Sequence, residues 1–247
     1  LGPVLVGSLI GMNVFEISTP QFGLLTPLIV MSLIMTVAAI IVYVYLPDNH
    51  STQPEQNKNP RIVLDLRLRY LMSIGIIIFT AFALVQSITA FYIQDRFGLD
   101  LDRTAQTTAL LLGTMALAAI VSQLTVVQRY KGSALNLIKF SVPLFVLSVI
   151  LIIFSPNFNL FYLGMALMGL GMGLASPGYT ASASLNADDQ SQGAAVGLAM
   201  VAPGIGFAVG PFLSGILYSF SMNLPFLFIL PIYLILVLLL RKLELLN

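Results

Sequence analysis

The chain has 247 residues, of which 58% are hydrophobic and only 9% charged, and its mean hydropathy is +0.96. A soluble domain is about 25% charged, so this composition excludes a water-soluble fold and specifies an all-helical, multi-pass integral membrane protein. The lack of cysteine and the single histidine, His50, exclude disulfide frameworks, thiol nucleophiles and a His-based metal site, and a net charge of +1 with scattered basic residues excludes a nucleic-acid partner. No metal and no cofactor are expected, and the expected surroundings are a lipid bilayer.

A hydrocarbon core of about 30 Å requires about 20 apolar residues per helix. The first apolar run, 1 to 15, is shorter than that and reads as a span entered part-way; it contains Gly2-Pro3-Val4-Leu5-Val6-Gly7. A full span follows at 23 to 46. The stretch 47 to 66, PDNHSTQPEQNKNPRIVLDL, is polar, holds three of the thirteen prolines and the only histidine, and reads as a linker between two domains.

The span at 71 to 93 places Phe79, Phe82, Gln86, Thr89 and Ile93 at three- and four-residue spacing, so they share one face. It ends at Asp95-Arg96-Phe97-Gly98, where Gly98 suits a helix C-cap and Asp100 or Asp102 the next N-cap. Spans at 105 to 127 and 134 to 154 follow, with Lys139 one turn into the second and able to snorkel to the interface. The span at 160 to 182 aligns Met168, Met172, Ser176 and Tyr179 on one face.

Asp188 and Asp189 precede the span at 193 to 219, where acids favour a helix N-terminus. In that span small residues recur every fourth position at Gly206, Gly210 and Ser214, and again at Gly193 and Gly197. Such spacing lets backbones approach closely, while Pro203 and Pro211 each remove a backbone donor and bend the helix. A last span at 224 to 240 brings the number to eight.

Alternate loops lie on opposite faces of the membrane, and the basic residues sort accordingly. One face carries Lys58, Arg61, Arg67, Arg69, Arg129, Lys131, Lys139, Arg241 and Lys242, the other only Arg96 and Arg103. The positive-inside rule puts the linker and the C-terminus in the cytoplasm. No ionisable side chain falls at mid-membrane, which argues against an intramembrane hydrolase or transferase; the lack of charge rings argues against a channel.

The first span and the seventh share a GPxLxG pattern, as Gly2-Pro3-Val4-Leu5-Val6-Gly7 and Gly210-Pro211-Phe212-Leu213-Ser214-Gly215. A six-span offset predicts a duplicated six-helix unit with parallel halves, and the linker falls where that unit ends. GPVLVGSLIG (2 to 11) resembles the fifth-helix motif of the drug/proton antiporter branch of the major facilitator superfamily. YIQDRFGLD (92 to 100), MGLGMGLASPGYTASAS (168 to 184) and QSQGAAVGLAMVAPGIGFAVGPFLSGILY (190 to 218) are similar to the end of helix seven, to helix ten and to helix eleven of that branch.

The resemblance implies helices five to twelve of a twelve-helix fold. Residues 1 to 46 would be the last two helices of the N-terminal bundle, 47 to 66 the cytoplasmic linker, and 67 to 247 the C-terminal six-helix bundle. It implies a secondary transporter of a bacterial-type cell membrane, monomeric when full length, exporting drugs or small amphiphilic molecules in exchange for protons. Uptake of a sugar or organic acid by the same fold is the alternative. Near Gln128 to Gly132, where the family carries a charged loop signature, only Arg129, Lys131 and Gly132 remain, without an acidic partner.

On the residues alone, the two stripes are either a solute-facing wall or ordinary helix packing. The resemblance favours the wall, because helices seven and ten line the family's cavity. The candidate cavity residues are therefore Phe79, Phe82, Gln86, Thr89, Met168, Met172, Ser176 and Tyr179. The candidate close-packing positions are Gly2, Pro3, Gly7, Gly206, Gly210, Pro211 and Gly215. With no acid at mid-membrane in these spans, the coupling carboxylate is expected in four further helices upstream.

Overall fold

The computed structural model describes residues 20–45, 66–185, 197 and 199–245, with side chains described at 32–45, 66–184, 197 and 199–245. The span at 1 to 15 with Gly2, Pro3 and Gly7, the linker from 47 to 65, and Asp188, Asp189 and Gly193 lie outside the described residues. Among the described residues the helices follow in the order α1 Pro20–Tyr45, α2 Leu66–Phe97, α3 Leu101–Thr125, α4 Ala134–Phe154, α5 Phe158–Leu185, α6 Val201–Phe220 and α7 Leu224–Leu245, with a 3-10 turn at Val127–Arg129. Among the described residues, α2 to α7 are each long and apolar enough to cross a membrane. The chain is a multi-pass membrane protein.

The six helices from α2 onward pack on one another, chiefly α4 with α5, α2 with α6 and α3 with α5, while α7 leans on α2 and α4. Along α1, the side chains at 32–45 are all exposed. The spine of the bundle is α2. Its 32 residues span about 48 Å at 1.5 Å per residue, longer than the hydrocarbon, so Arg67 and Arg69 at one end and Asp95 and Arg96 at the other reach the interfaces.

Small residues set the spacing between helices. Ala202, Gly206, Gly210 and Ser214, four residues apart along α6, are all buried, Gly206 and Gly210 against α2. A Cβ built on Gly206 would lie 2.6 Å from Phe79 Cβ, and one on Gly210 would lie 2.7 Å from Ala83 Cβ. In α5, Gly173 rests on the backbone of Ala119 in α3, and Gly171 on the Phe145 ring of α4. With little hydrophobic drive between helices in lipid, this close contact is what holds them together, and it explains why the glycine-rich run of α5 has neighbours on two sides.

Prolines fall at Pro143, Pro177, Pro211 and Pro231 inside helices. Pro203 stands in the first turn of α6, three residues past Met200, where the span read as 193 to 219 leaves the helix between helical Ala199 and Val201.

The turns are capped as their residues dictate. Gly98, at φ 60°, ends α2 in the left-handed region, and the Leu99 N–H donates to the Gln94 carbonyl at 3.2 Å, a Schellman closure. Asp100 rather than Asp102 is the N-cap of α3, its Oδ1 accepting from the Arg103 N–H at 2.8 Å. Asn157 caps α5, accepting from the Leu160 N–H at 3.1 Å. Strict up-and-down alternation puts 98–100, 155–157 and 221–223 at one end of the bundle and 126–133 with the end of α7 at the other.

Candidate functional site

The structure brings the two stripes together through aromatic rings. Phe79 on α2 meets the Tyr179 ring on α5 edge-on at 5.8 Å between centroids. Phe207 on α6 lies 6.0 Å from Phe79 and meets Phe82 edge-on at 6.3 Å. Four rings from three helices thus form one cluster, and edge-to-face pairs of this kind contribute about 0.5–1.5 kcal/mol each beyond their buried area.

The residues of the stripes differ in how far they sit from its open side. Phe79, Phe82, Thr89, Met168, Met172 and Tyr179 are buried, with Met168 wholly inside the core. Gln86 and Ser176 are half-buried. Phe207 is 45% exposed and forms the rim of the cluster. The sequence reading passed over Phe207, although Gly206 was the available signal: the residue after a tightly packed position is turned about 100° on the helix and lands at the edge of the contact.

Polar atoms around the cluster separate into occupied and free. The Tyr179 hydroxyl donates to the Ala199 carbonyl at 2.8 Å, bridging α5 to the segment before α6. The Thr89 hydroxyl donates to the Val85 carbonyl of its own helix at 2.7 Å. The Gln86 amide makes no hydrogen bond among the described residues. An aromatic surface with one free amide can hold an amphiphilic solute by stacking and a single polar contact. Among the described residues no acid–base pair suited to catalysis stands beside it, and no three His, Cys, Asp or Glu side chains gather to hold a metal.

Of the close-packing positions, Gly206 and Gly210 enter the α2–α6 contact, whereas Pro211 and Gly215 are exposed, and a Cβ on Gly215 would meet nothing within 4 Å. Within this bundle Gly215 is therefore not a point of close approach; its register puts it off the buried four-residue line of Ala202, Gly206, Gly210 and Ser214.

Charged side chains among the described residues are confined to the two ends. At one, the Arg96 guanidinium donates to the Ile153 carbonyl at 2.8 Å and the Ser155 carbonyl at 2.7 Å, a cation on the C-terminal carbonyls of α4. It also donates to the Tyr92 hydroxyl and stacks 5.4 Å over that ring. The Tyr92 hydroxyl donates to Asn223 Oδ1 at 2.9 Å, and the Tyr218 hydroxyl donates to Asp95. This network ties together the ends of α2, α4 and α6 and the α6–α7 turn. At the other end Lys139 of α4 is paired with Glu244 of α7.

Residues 127–245, which hold α4 to α7, match the model of the Major Facilitator Superfamily. No curated protein matches the chain. Among solved structures, the chain is similar to the crystal structure of the human organic anion transporter MFSD10 (TETRAN), with 17% identity and a TM-score of 0.62 over 70% of this chain and 40% of that one. The chain has a partial major facilitator superfamily fold, spanning well under half the length of that relative. The matched family and the matched structure are those of transporters, not enzymes.

Proposed function

We propose that the chain is part of a secondary active transporter that exports drugs or small amphiphilic molecules in exchange for protons by alternating access. The observation that carries this reading is the cluster of Phe79, Phe82, Tyr179 and Phe207 with the unpaired Gln86 amide beside it. Rings that offer stacking surface suit a flat or amphiphilic solute, and one amide fixes its orientation without demanding a particular charge. The charged groups of the described helices all sit at their ends, which favours a neutral or cationic solute over an anion.

In this reading the six helices α2 to α7 are the C-terminal bundle, α1 belongs to the N-terminal one, and the bundles rock about a cavity between them. The coupling carboxylate lies outside the described helices, because none of these carries an acid at membrane depth and an amide does not titrate. The end bearing Arg129, Lys131, Arg241 and Lys242 faces the cytoplasm.

In the full-length protein, Gln86→Ala should alter the order of preference among transported compounds while the amount of folded protein stays near that of the parent. Tyr179→Phe removes the donor to the Ala199 carbonyl as well, so it should lower stability by about 1 kcal/mol in addition to any change in preference. An unchanged substrate profile in both variants returns the cluster to a purely structural role.

A further inference from the structure

A cleft of about 340 Å³ opens between α4 and α7, lined by Lys139, Val142, Pro143, Val237, Leu240, Arg241 and Glu244. It lies at the end of the bundle where α4 begins and α7 finishes. Lys139 is five residues into α4 and Arg241 four from the end of α7, so at 1.5 Å per residue the charged groups sit at headgroup depth. Val142, Pro143 and Val237 lie further along the helices, towards the hydrocarbon. The cleft therefore has a charged mouth over an apolar floor, on a helix surface that the bundle leaves open to lipid.

Its charges are unequal. Lys139 and Glu244 pair with each other, their side chains 32% and 46% exposed. Arg241 is exposed and has no ion-pair or hydrogen-bond partner among the described residues. Two cations against one carboxylate leave the mouth at +1, the complement of a phosphodiester monoanion. An arginine fork is suited to hold such a group by two parallel hydrogen bonds. Pro143 adds an acceptor: it has no N–H to give to the Lys139 carbonyl one turn back, so that carbonyl is open to a hydroxyl from outside the helix.

We propose that this cleft binds an anionic phospholipid whose headgroup is a hydroxyl-bearing phosphodiester. The phosphate sits between Arg241 and Lys139, a headgroup hydroxyl donates to the Lys139 carbonyl, and the upper part of one acyl chain lies on Val142, Pro143, Val237 and Leu240. A free phosphate has no use for the apolar floor. Basic pockets between helices at the membrane interface are suited to such headgroups in general, and the site is independent of what the bundle transports.

The test is native mass spectrometry of the full-length protein released from vesicles of phosphatidylcholine and phosphatidylglycerol. The parent should retain phosphatidylglycerol in preference to phosphatidylcholine. Arg241→Gln should retain roughly fivefold less, the effect of losing one basic contact at an anionic headgroup. Glu244→Gln, which removes the competing carboxylate, should retain more, and Lys242→Gln, outside the cleft, should behave as the parent. Added inorganic phosphate should not displace the lipid; displacement would make the site one for free phosphate and overturn the proposal. Undiminished retention in Arg241→Gln overturns it, and so does an equal loss in Lys242→Gln, which would indicate a diffuse basic collar. Should Arg241→Gln fail to fold, Glu244→Gln decides alone, and retention that does not rise refutes the site.

Discussion

Replacing Gly206 by alanine adds one methyl group at the tightest approach between α2 and α6. That carbon would stand 2.6 Å from Phe79 Cβ and 2.8 Å from both the Phe79 carbonyl carbon and the Thr80 nitrogen. Two of those three atoms are backbone and cannot swing aside. Ordinary carbon contacts are about 3.5–4.0 Å, so α6 must retreat by about 1 Å. Retreat also lifts Gly210 from Ala83 and Thr80, and a gap of that size forfeits about a quarter to a half of each dispersion contact it opens. Overpacking costs about 1–3 kcal/mol, and the better helix propensity of alanine returns at most about 1 kcal/mol, leaving a net loss of up to about 2 kcal/mol when that return is full. Gly215→Ala is the control, since nothing lies within 4 Å of its new Cβ, and it should leave the bundle as stable as before or slightly more so. The assay is the fraction of full-length protein that elutes as a single species after heating in detergent. A Gly206→Ala protein as heat-resistant as Gly215→Ala would refute the account of α2 and α6 packing through glycine.

Arg96→Gln removes charged hydrogen bonds to the Ile153 and Ser155 carbonyls; with the side chain half-exposed, the loss should be about 2 kcal/mol. Arg96→Lys should not restore it, because an ammonium cannot span both carbonyls as the planar fork does, and full recovery of heat resistance by lysine would contradict this. For orientation, Lys131→Cys and Asp102→Cys occupy exposed positions at opposite ends of a chain without native cysteine. An impermeant thiol reagent should label Asp102→Cys in intact cells and Lys131→Cys only after the membrane is opened; the reverse pattern inverts the topology.

Hydropathy located the helices because the hydrocarbon is what demands apolar side chains, and it missed their ends for the same reason. The span read as 71 to 93 is a helix over Leu66–Phe97, and the one read as 224 to 240 continues to Leu245. In each case the added turns carry charges, at Arg67, Arg69, Asp95 and Arg96 or at Arg241, Lys242 and Glu244. These groups stay in the headgroup layer while the backbone remains helical. The span read as 134 to 154 coincides with α4, whose flanking residues Ser133 and Ser155 both leave the helical backbone conformation. The aromatic cluster was half legible: helical spacing put Phe79 and Phe82 on one face and Tyr179 on another, but spacing within a helix cannot say which helices meet. Phe207 entered only when the packing of α6 on α2 was fixed, and the Arg96 network joins residues up to about 130 apart in the chain, beyond the reach of any local pattern.

If the chain carries a solute as proposed, the same packing bears on where that solute can make contact. The α2–α6 and α5 seams are closed by glycines against backbone, one end of the bundle is tied by Arg96 and Tyr92, and the other by Lys139 with Glu244. Such a bundle resists internal deformation, since moving any one helix opens several backbone contacts at once. If two bundles rock against each other, each therefore moves as a unit, and the surface that changes its neighbours is the one the bundle leaves uncovered. Met168, wholly buried, then serves the rigidity of the wall rather than its specificity. On the proposed alternating-access reading, Gln86, Ser176 and Phe207, half-buried or exposed at its margin, would be the side chains whose surroundings differ between the inward and outward states. Discrimination between solutes should accordingly respond to substitution at the margin, whereas substitution at Met168 or Gly206 should change stability first and selectivity only through it.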